Sequence, residues 1–169
     1  LVHNKFPDTK LTIIGMGVLE HSLKRLALEL NLPEHSVSFV GAKQHSEIIT
    51  YLKQNKVIAI PSIIDSRGET EGMPTVVLEA MAAGLPVITS RQNGFSEHYT
   101  DGGEGGIIDD PGSVRQFHDR LEPMFDRSVR LRMGQAARQT ATEHTFERNL
   151  AEIEGVYDEI IESRRRVAA

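Results

Sequence analysis

Cysteine is absent from the 169-residue chain, which excludes disulfide scaffolds, thiolate zinc sites, Fe–S clusters and cysteine nucleophiles. Basic residues are in the minority, because 19 Lys and Arg face 24 Asp and Glu and the formal charge is −5. A nucleic-acid binder that works through a generally basic surface is therefore disfavoured. The seven histidines form neither an H-x-x-x-H nor an H-E-x-x-H pattern, so these helical zinc motifs are excluded as well.

Long apolar runs and a signal peptide are also lacking. No run approaches the roughly 18 residues that a membrane span needs, and the opening LVHNKFPDTK is not a secretory signal. These absences predict a soluble protein of a reducing compartment, and we expect a cytoplasmic location. Hydrophobic residues, at 39% of the chain, are numerous enough to build a real core.

Short apolar strands alternate with helical periodicity along the first two thirds of the chain. The predicted strands are 11–15, 37–41, 57–60, 86–89 and 105–108. The predicted helices are 18–31, 45–55 and 74–83, followed by three C-terminal helices at 114–125, 128–142 and 146–165, the first with Ser113 as its N-cap. This alternation predicts an α/β fold with a doubly wound parallel sheet and helices on both faces. Ligands of such sheets lie at the carboxyl ends of the strands.

We expect a single domain over residues 1–169, because the length suits one domain. The chain enters its first strand after only a few polar residues and Pro7. A doubly wound domain often has a strand and a helix before this point. The domain is therefore expected to be incomplete at its N-terminus.

The stretch 61–90, PSIIDSRGETEGMPTVVLEAMAAGLPVITS, carries the most chemistry. It predicts a strand, a loop, a helix with Pro74 in its first turn, and a second strand. Glu71 precedes the helix, and Glu79 follows eight positions later in an otherwise small and apolar helix. Glu79 is therefore expected to be buried, and a buried carboxylate must be paired or hydrogen-bonded.

The start of this helix also predicts an anion site. The N–H groups of Met73, Thr75 and Val76 have no partner within the helix, and they lie at the positive end of its dipole. Phosphate affinity beside two carboxylates that accept hydrogen bonds from hydroxyls suits a sugar nucleotide. The alternative remains open, in which Glu79 bonds a neighbouring backbone group and Glu71 is a solvated loop residue.

The run EGMPTVVLEAMAAGLPVITS resembles the E-x(7)-E motif of the family-four retaining glycosyltransferases, which have the GT-B fold. Upstream, TIIGMG and VSFVGAKQHSEI resemble that family's glycine turn and its base-contacting loop. Downstream, NGFSEHYTDGGEGGIIDDPGSV resembles its G-x-x-E and glycine-rich regions. The similarity covers nearly the whole chain in order. It implies a Rossmann-like domain that is one half of a GT-B fold, the C-terminal donor-binding half.

The resemblance also implies roles for residues of the E-x(7)-E stretch. The donor-binding residues are Glu71, Gly72, Met73, Pro74, Thr75, Val76 and Glu79. Glu71 is the candidate catalytic residue, which orients the donor sugar through its hydroxyls, and Glu79 holds the ribose hydroxyls. Gly72, Met73 and Pro74 line the sugar and the phosphate, and the backbone N–H groups that follow face the phosphates.

The same resemblance places two groups of residues near the nucleotide. Gly15 and Gly17 correspond to the glycine turn, although a plain strand–helix turn is the alternative. Val40, Ala42 and Lys43 correspond to the stretch beside the nucleobase, with a solvated surface lysine as the alternative for Lys43. Glu97 corresponds to the glutamate of G-x-x-E, and we expect it to orient the following turn rather than to contact the ligand.

The implied function is transfer of a sugar from a nucleotide-diphosphate sugar to an acceptor hydroxyl, in polysaccharide or glycoconjugate assembly. No D-x-D pair stands at the site, so neither a metal nor another cofactor is expected. The family's acceptor domain and its diphosphate-binding basic residues have no counterpart here. The chain is therefore expected to be inactive alone and to be either part of a longer enzyme or the partner of a separate chain. A sugar or lipid-linked acceptor, and any membrane contact, would be held by the missing N-terminal domain.

Three other functions remain as alternatives. The chain could be a nucleotide-binding module without catalysis, or a fragment of a UDP-sugar epimerase with the GT-B fold. The stretch TEGMPTVVLEAMA favours the transferase over the epimerase. A flavodoxin-like regulatory domain would need a phosphorylatable aspartate at the end of a strand, and LTIIG, VSFVG, VIAIP and VIT all end otherwise.

Overall fold

The computed structural model describes residues 1–167, so the last two residues of the predicted 1–169 domain lie outside the described residues. The chain contains two compact units, Leu1–Asn55 and Lys56–Ala169. Both units build parallel sheets, with two strands in the first and three in the second. The predicted alternation of strands and helices accounts for this arrangement, since parallel neighbours need a crossover connection.

The unit Leu1–Asn55 is a β-α-β arrangement with a flanking helix at each end. Its elements are α1 (Val2–Lys5), β1 (Leu11–Ile13), α2 (Glu20–Glu29), β2 (Val37–Phe39) and α3 (His45–Gln54). Strands β1 and β2 pair in parallel, with Ile13 opposite Phe39. The start of α3 is fixed by a capping box, in which the Glu47 carboxylate accepts the N–H of Gln44 at 2.9 Å.

Little of this first unit is fully buried. Among its described residues, Ser36 and Leu52 are the ones classed as buried. The apolar residues of the predicted amphipathic helix occur at the expected spacing, but Leu23 and Leu26 of α2 are 39% and 46% exposed. The periodicity therefore predicts the helix correctly without predicting what covers its apolar face.

The unit Lys56–Ala169 holds the main core. Its elements are β3 (Ile58–Ile60), α4 (Thr75–Ala82), β4 (Val87–Ser90), β5 (Gly105–Ile108), α5 (Val114–Leu121), α6 (Arg127–Ala141) and α7 (Phe146–Val167). Strand β4 lies between β3 and β5 and is parallel to both. All four residues of β4 are buried, as expected of a central strand in a covered parallel sheet.

The core beside β4 is formed mainly by residues from β5 and the helices. Ile88 and Ile108 pack with Met124 and Met133, and all four are at most 6% exposed. Met124 lies in the 3-10 turn Glu122–Phe125, which follows α5. The predicted helix 114–125 is therefore divided, and Pro123, which has no N–H to donate, lies where the α-helix ends.

Side chains start two of the C-terminal helices. The Ser113 hydroxyl accepts the N–H of Gln116 at 3.2 Å, which confirms Ser113 as the N-cap of α5. The Asp126 carboxylate caps α6 and accepts the N–H groups of Ser128 and Val129. The hydrogen bond from the Ser128 hydroxyl contributes most, and those from the two amides contribute less, to holding the pKa of the Asp126 carboxyl below its usual value.

Three glycines permit close packing in this unit. A Cβ at Gly134 of α6 would overlap the carbonyl oxygen of Gly84, which ends α4 with a φ of 77°. A Cβ at Gly105 of β5 would overlap the hydroxyl of Tyr99, which donates a hydrogen bond to the carbonyl of Val87. A Cβ at Gly106 would lie 2.7 Å from the Arg120 side chain. Side chains at these positions are excluded by the close approach of neighbouring groups.

Residues 146–166 of helix α7 are all exposed, and the apolar side chains among them recur every three or four residues. These side chains, between 44% and 76% exposed, are Phe146, Leu150, Ile153, Tyr157 and Ile160. Glu147 is the acidic residue of its first turn, and Arg164, Arg165 and Arg166 lie in its last. Across residues 1–167, no helix combines the length and the hydropathy that crossing a membrane requires.

Candidate functional site

The loop between β3 and α4 is folded around one aspartate. The Asp65 carboxylate accepts the N–H groups of Arg67 at 2.8 Å and Glu69 at 2.9 Å. Gly68 turns the chain with a φ of 81°. These backbone hydrogen bonds hold the pKa of the Asp65 carboxyl below its usual value. The segment that precedes Glu71 is therefore a closed turn.

Glu71 is exposed, and one oxygen of its carboxylate accepts a hydrogen bond. The Ser62 hydroxyl donates a hydrogen bond to Glu71 Oε2 at 2.9 Å, and Ser62 follows β3 by two residues. The carboxylate therefore lies beyond the carboxyl end of β3, where parallel sheets bind ligands.

Glu79 is half-buried on α4, so the prediction of a buried carboxylate is wrong. The buried side chains of this helix are Val77, Ala80 and Met81. At about 100° per residue, Glu79 lies on the side of the helix away from these three. Apart from Thr75 and Glu79, the residues of α4 are apolar on every side of the helix, so the apolar neighbours of Glu79 do not show which side faces the core.

Pro74 is the N-cap of α4 and Thr75 its first residue, one position later than predicted. Pro74 is buried, and it has no side-chain acceptor for the N–H groups of the first turn. Thr75 is exposed and Val76 is half-buried. Because no side chain caps this end and the helix dipole is positive there, it can receive an anion.

Backbone contacts tie the loop to the segment after β4. The N–H of Gly94 donates to the carbonyl of Gly72 at 2.6 Å, and the Thr70 hydroxyl donates to the carbonyl of Gln92 at 3.3 Å. No protein atom lies within 4 Å of the position that a Cβ on Gly72 would take. The space beside Gly72 is therefore open, and the side chain of Met73 next to it is 44% exposed.

Polar side chains missed by the sequence analysis lie at the ends of β3 and β4. The buried Ser90 hydroxyl donates to the carbonyl of Ser62 at 2.6 Å. Asn93, 2% exposed, donates to the Thr89 hydroxyl at 2.6 Å, and its own Oδ1 has no partner. The signal was the position of these polar residues, since Ser62 and Ser90 each lie just after the end of a predicted strand.

Glu97 lies exposed in the 3-10 turn Gly94–His98. This turn is held by the Ser96 hydroxyl, which bonds the carbonyls of Arg91 and Asn93 at 3.0 Å. The carboxylate that orients the following turn is that of Glu104, which accepts the N–H of Thr100 at 2.9 Å. Glu104 is buried and performs the role expected of Glu97.

The unit Leu1–Asn55 brings its own predicted residues to one sheet end. The N–H of Gly15 donates to the carbonyl of Gly41 at 2.9 Å, so the pairing of β1 and β2 continues into two glycine turns. Gly15 and Gly41 have φ values of 125° and 70°, which favour glycine. Val40 and Ala42 flank Gly41, and Gly17 begins the approach to α2.

A cavity of about 210 Å³ lies beside this glycine turn, with Gly15, Gly17, Leu23 and Phe39 among its lining residues. Lys43 is not a freely solvated lysine. Its side chain is 24% exposed, and its ammonium lies 3.8 Å from the Glu47 carboxylate. Ala42 is exposed beside it.

The chemistry that the second unit can perform follows from its groups. An exposed, oriented carboxylate accepts hydrogen bonds from hydroxyls, and the uncapped start of α4 attracts negative charge. In the part of the chain that the structure describes, no group of three or more His, Asp or Glu side chains is placed to hold a metal ion.

Comparison with known proteins gives a consistent result. The family model described as "Glycosyl transferases group 1" matches residues 1–140. The amylovoran biosynthesis glycosyltransferase AmsK of Erwinia amylovora is 42% identical over 86 residues, which are 51% of this chain and 21% of that protein. The first curated relatives are matched over only 21% to 41% of their own lengths.

Solved structures share the fold. The C-terminal domain of LpcC, a group 1 glycosyl transferase family protein of Francisella tularensis, is similar with a TM-score of 0.72 at 22% identity, over 83% of this chain and 72% of that domain. Anabaena HepE in complex with UDP-glucose gives 0.73 at 19% identity, over 93% of this chain and 42% of that protein. These likenesses confirm the predicted α/β fold class and the half of a GT-B fold.

Proposed function

The chain belongs to the group 1 glycosyltransferase family, and from this premise we propose that it is the donor-binding domain of a retaining glycosyltransferase. The donor is a nucleotide-diphosphate sugar, and the acceptor is a hydroxyl. The name of AmsK, an amylovoran biosynthesis enzyme, supports a role in polysaccharide or glycoconjugate assembly. The UDP-glucose bound to HepE supports a sugar nucleotide as the donor.

One observation carries the proposal: the oriented Glu71 carboxylate lies just before the uncapped start of α4. Ser62 holds the carboxylate at 2.9 Å, and Pro74 supplies no cap. A sugar diphosphate presents hydroxyls at one end and negative charge at the other. The two features bind these two parts, because a carboxylate accepts hydroxyl hydrogens and helical N–H groups bind phosphate oxygens.

The remaining predicted residues of the unit Lys56–Ala169 are assigned to the same ligand. We propose that Gly72, Met73 and Pro74 line the sugar and the phosphate, and that Glu79 accepts the ribose hydroxyls. Glu79 is half-buried, so it is closer to solvent than a core residue would be. For the first unit by itself, we propose that its residues Gly15, Gly17, Val40, Ala42 and Lys43 contact a nucleotide.

The reaction transfers the sugar on one face. The bond from the anomeric carbon to the diphosphate oxygen breaks, and a bond to the acceptor oxygen forms with retained configuration. The proton of the acceptor hydroxyl goes to the leaving diphosphate, whose charge the start of α4 stabilises. Glu71 orients the sugar and does not act as the nucleophile. The proposal needs no metal.

Transfer itself is assigned to the longer protein. The chain spans less than half the length of its first curated relatives, and we propose that the acceptor, a sugar or a lipid-linked sugar, is held by a further domain. The chain alone then binds the donor without transferring the sugar. A cytoplasmic location belongs to the same proposal, because nucleotide sugars are the substrates.

Calorimetric titration with UDP, GDP and ADP tests the proposal. We expect saturable binding of one nucleotide and a loss of about 1–3 kcal/mol in Glu79→Ala, the scale of charge-assisted hydrogen bonds. Glu152→Ala, which removes an exposed glutamate of α7, is the matched control and should bind as the wild type does. The proposal would be contradicted if neither this chain nor a form extended at its N-terminus bound any of the three nucleotides.

A further inference from the structure

Two consecutive hydrogen bonds from serine hydroxyls lie at the carboxyl ends of β3 and β4. Ser90 donates to the carbonyl of Ser62 at 2.6 Å, and Ser62 donates to Glu71 Oε2 at 2.9 Å. Ser90 is the last residue of β4 and fully buried. The exposed Glu71 carboxylate is thereby connected, through one intermediate residue, to the central strand of the sheet.

We propose that Ser62 is a positioning residue, which holds the Glu71 carboxylate in the direction of the donor sugar, with Ser90 as its anchor. This inference rests on the proposed function, because it assigns to Glu71 the contact with sugar hydroxyls. An exposed glutamate ordinarily populates many rotamers, and fixing it before the ligand arrives lowers the entropic cost of binding.

The loop does not depend on the Ser62 hydroxyl for its shape. The turn is closed by the Asp65 carboxylate at 2.8 and 2.9 Å. Its far end is tied by the Gly94 N–H to the carbonyl of Gly72 at 2.6 Å. The hydrogen bond from Ser62 therefore fixes a side chain whose backbone is already held by other groups.

The position of Ser62 also limits where its hydroxyl can lie. In the β3–β4 pairing, Ile60 is opposite Thr89, so Ser62 and Ser90 follow the last paired residues of the two strands. Ser62 is half-buried whereas Glu71 is exposed. Ser62, which donates the hydrogen bond, is thus the more buried of the two residues, as expected if its function is to orient the Glu71 carboxylate.

The test compares free and sugar-bearing nucleotides in Ser62→Ala. Affinities are measured by calorimetry for UDP and UDP-glucose, GDP and GDP-mannose, and ADP and ADP-glucose. For the pair that the wild type binds, we expect Ser62→Ala to lower the affinity for the sugar nucleotide about fivefold to tenfold. The free diphosphate should bind within about twofold of the wild type, because it lacks the sugar that Glu71 contacts.

Three variants complete the experiment. Ser62→Thr keeps the hydroxyl and should restore the affinity for the sugar nucleotide. Ser66→Ala, which alters an exposed serine of the same loop, is the matched control and should change neither affinity. In a Glu71→Ala background, Ser62→Ala should have no further effect, because its partner is gone.

The outcomes separate this inference from the proposed function. Equal weakening of the free and sugar-bearing nucleotides by Ser62→Ala, or no change in either, would overturn the positioning role while the wild type still binds its donor. Failure of both the wild-type chain and a form extended at its N-terminus to bind any of the six ligands would overturn the proposed function, and this inference with it.

Discussion

Asp126 begins α6 with a charged cap, which makes the stability of this helix depend on pH. The Ser128 hydroxyl and two backbone amides hold the pKa of the Asp126 carboxyl below its usual value. The folded pKa is thus lower than the unfolded one, near 4. The stabilisation by the charged cap is complete above the unfolded pKa, and it is lost as the pH falls through the folded pKa.

The variant Asp126→Asn tests this pH dependence, because an amide oxygen still caps the helix but carries no charge. We expect the free energy of unfolding of the wild type to exceed that of the variant at about pH 7, and the difference to shrink towards about pH 3. Urea denaturation at several pH values measures it. Asp158→Asn, on the exposed α7, is the control. A difference that grows with acid would contradict the prediction.

Individual residues of the site were predictable where a motif or a local rule determines them. Glu71 follows from its place before the helix, and Ser113 from the preference of serine for N-caps. Ser62 was missed because its role depends on Glu71, nine positions away, and on a buried serine of the neighbouring strand. The exposure of Glu79 was mispredicted because composition alone does not show which side of a largely apolar helix faces the core.

The contact between α4 and α6 depends on Gly134. A Cβ there would overlap the carbonyl oxygen of Gly84, a backbone atom that cannot rotate away. We expect Gly134→Ala to lower the free energy of unfolding by about 1–3 kcal/mol, although alanine is the better helix former by about 1 kcal/mol. Urea denaturation followed by circular dichroism measures the change.

Gly155 of α7 provides the matched control, since no atom other than its chain neighbours and the adjacent backbone of its own helix lies within 4 Å of its Cβ position. Gly155→Ala should not lower the free energy of unfolding, because helix propensity is then the main effect. Equal destabilisation by both substitutions would show that the Gly84–Gly134 contact is not the cause.

The helices and strands themselves were largely predictable, because hydrophobic periodicity is a local property. The boundaries were less so. Pro123 ends α5 early and leads into a 3-10 turn, although the apolar spacing continues to Phe125. The short helix α1 (Val2–Lys5) was not predicted, since four residues are too few to show a helical period.

At the scale of the whole molecule, the two units differ in how much they bury. Ser36 and Leu52 are the residues classed as buried among those described in Leu1–Asn55, whereas every residue of β4 and β5 is buried. We expect the amides of β1 and β2 to exchange with solvent at lower urea than those of β4, because opening the first unit exposes less apolar surface. Native-state hydrogen exchange with mass spectrometry measures this, and uniform protection would contradict it.

The division between the units was not predictable from composition. No proline- or glycine-rich linker marks residues 55 and 56, and both sides continue the same alternation of strand and helix. A single donor-binding domain over residues 1–169 therefore stays a proposal. At this scale the sequence does show the order of its motifs along the chain, and the resemblance to the glycosyltransferase family rests on that order.

The glycines of β5 have a consequence for how such chains diverge. The space beside Gly105 is taken by the Tyr99 hydroxyl, and the space beside Gly106 by the Arg120 side chain. Tyr99 and Arg120 thus fill the volume that the strand's own side chains would otherwise occupy. A Cβ at Gly105 would also overlap the carbonyl oxygen of Val87, a backbone atom that no change at position 99 removes. Position 105 is therefore expected to remain glycine in homologues even where the residue at position 99 is smaller than tyrosine.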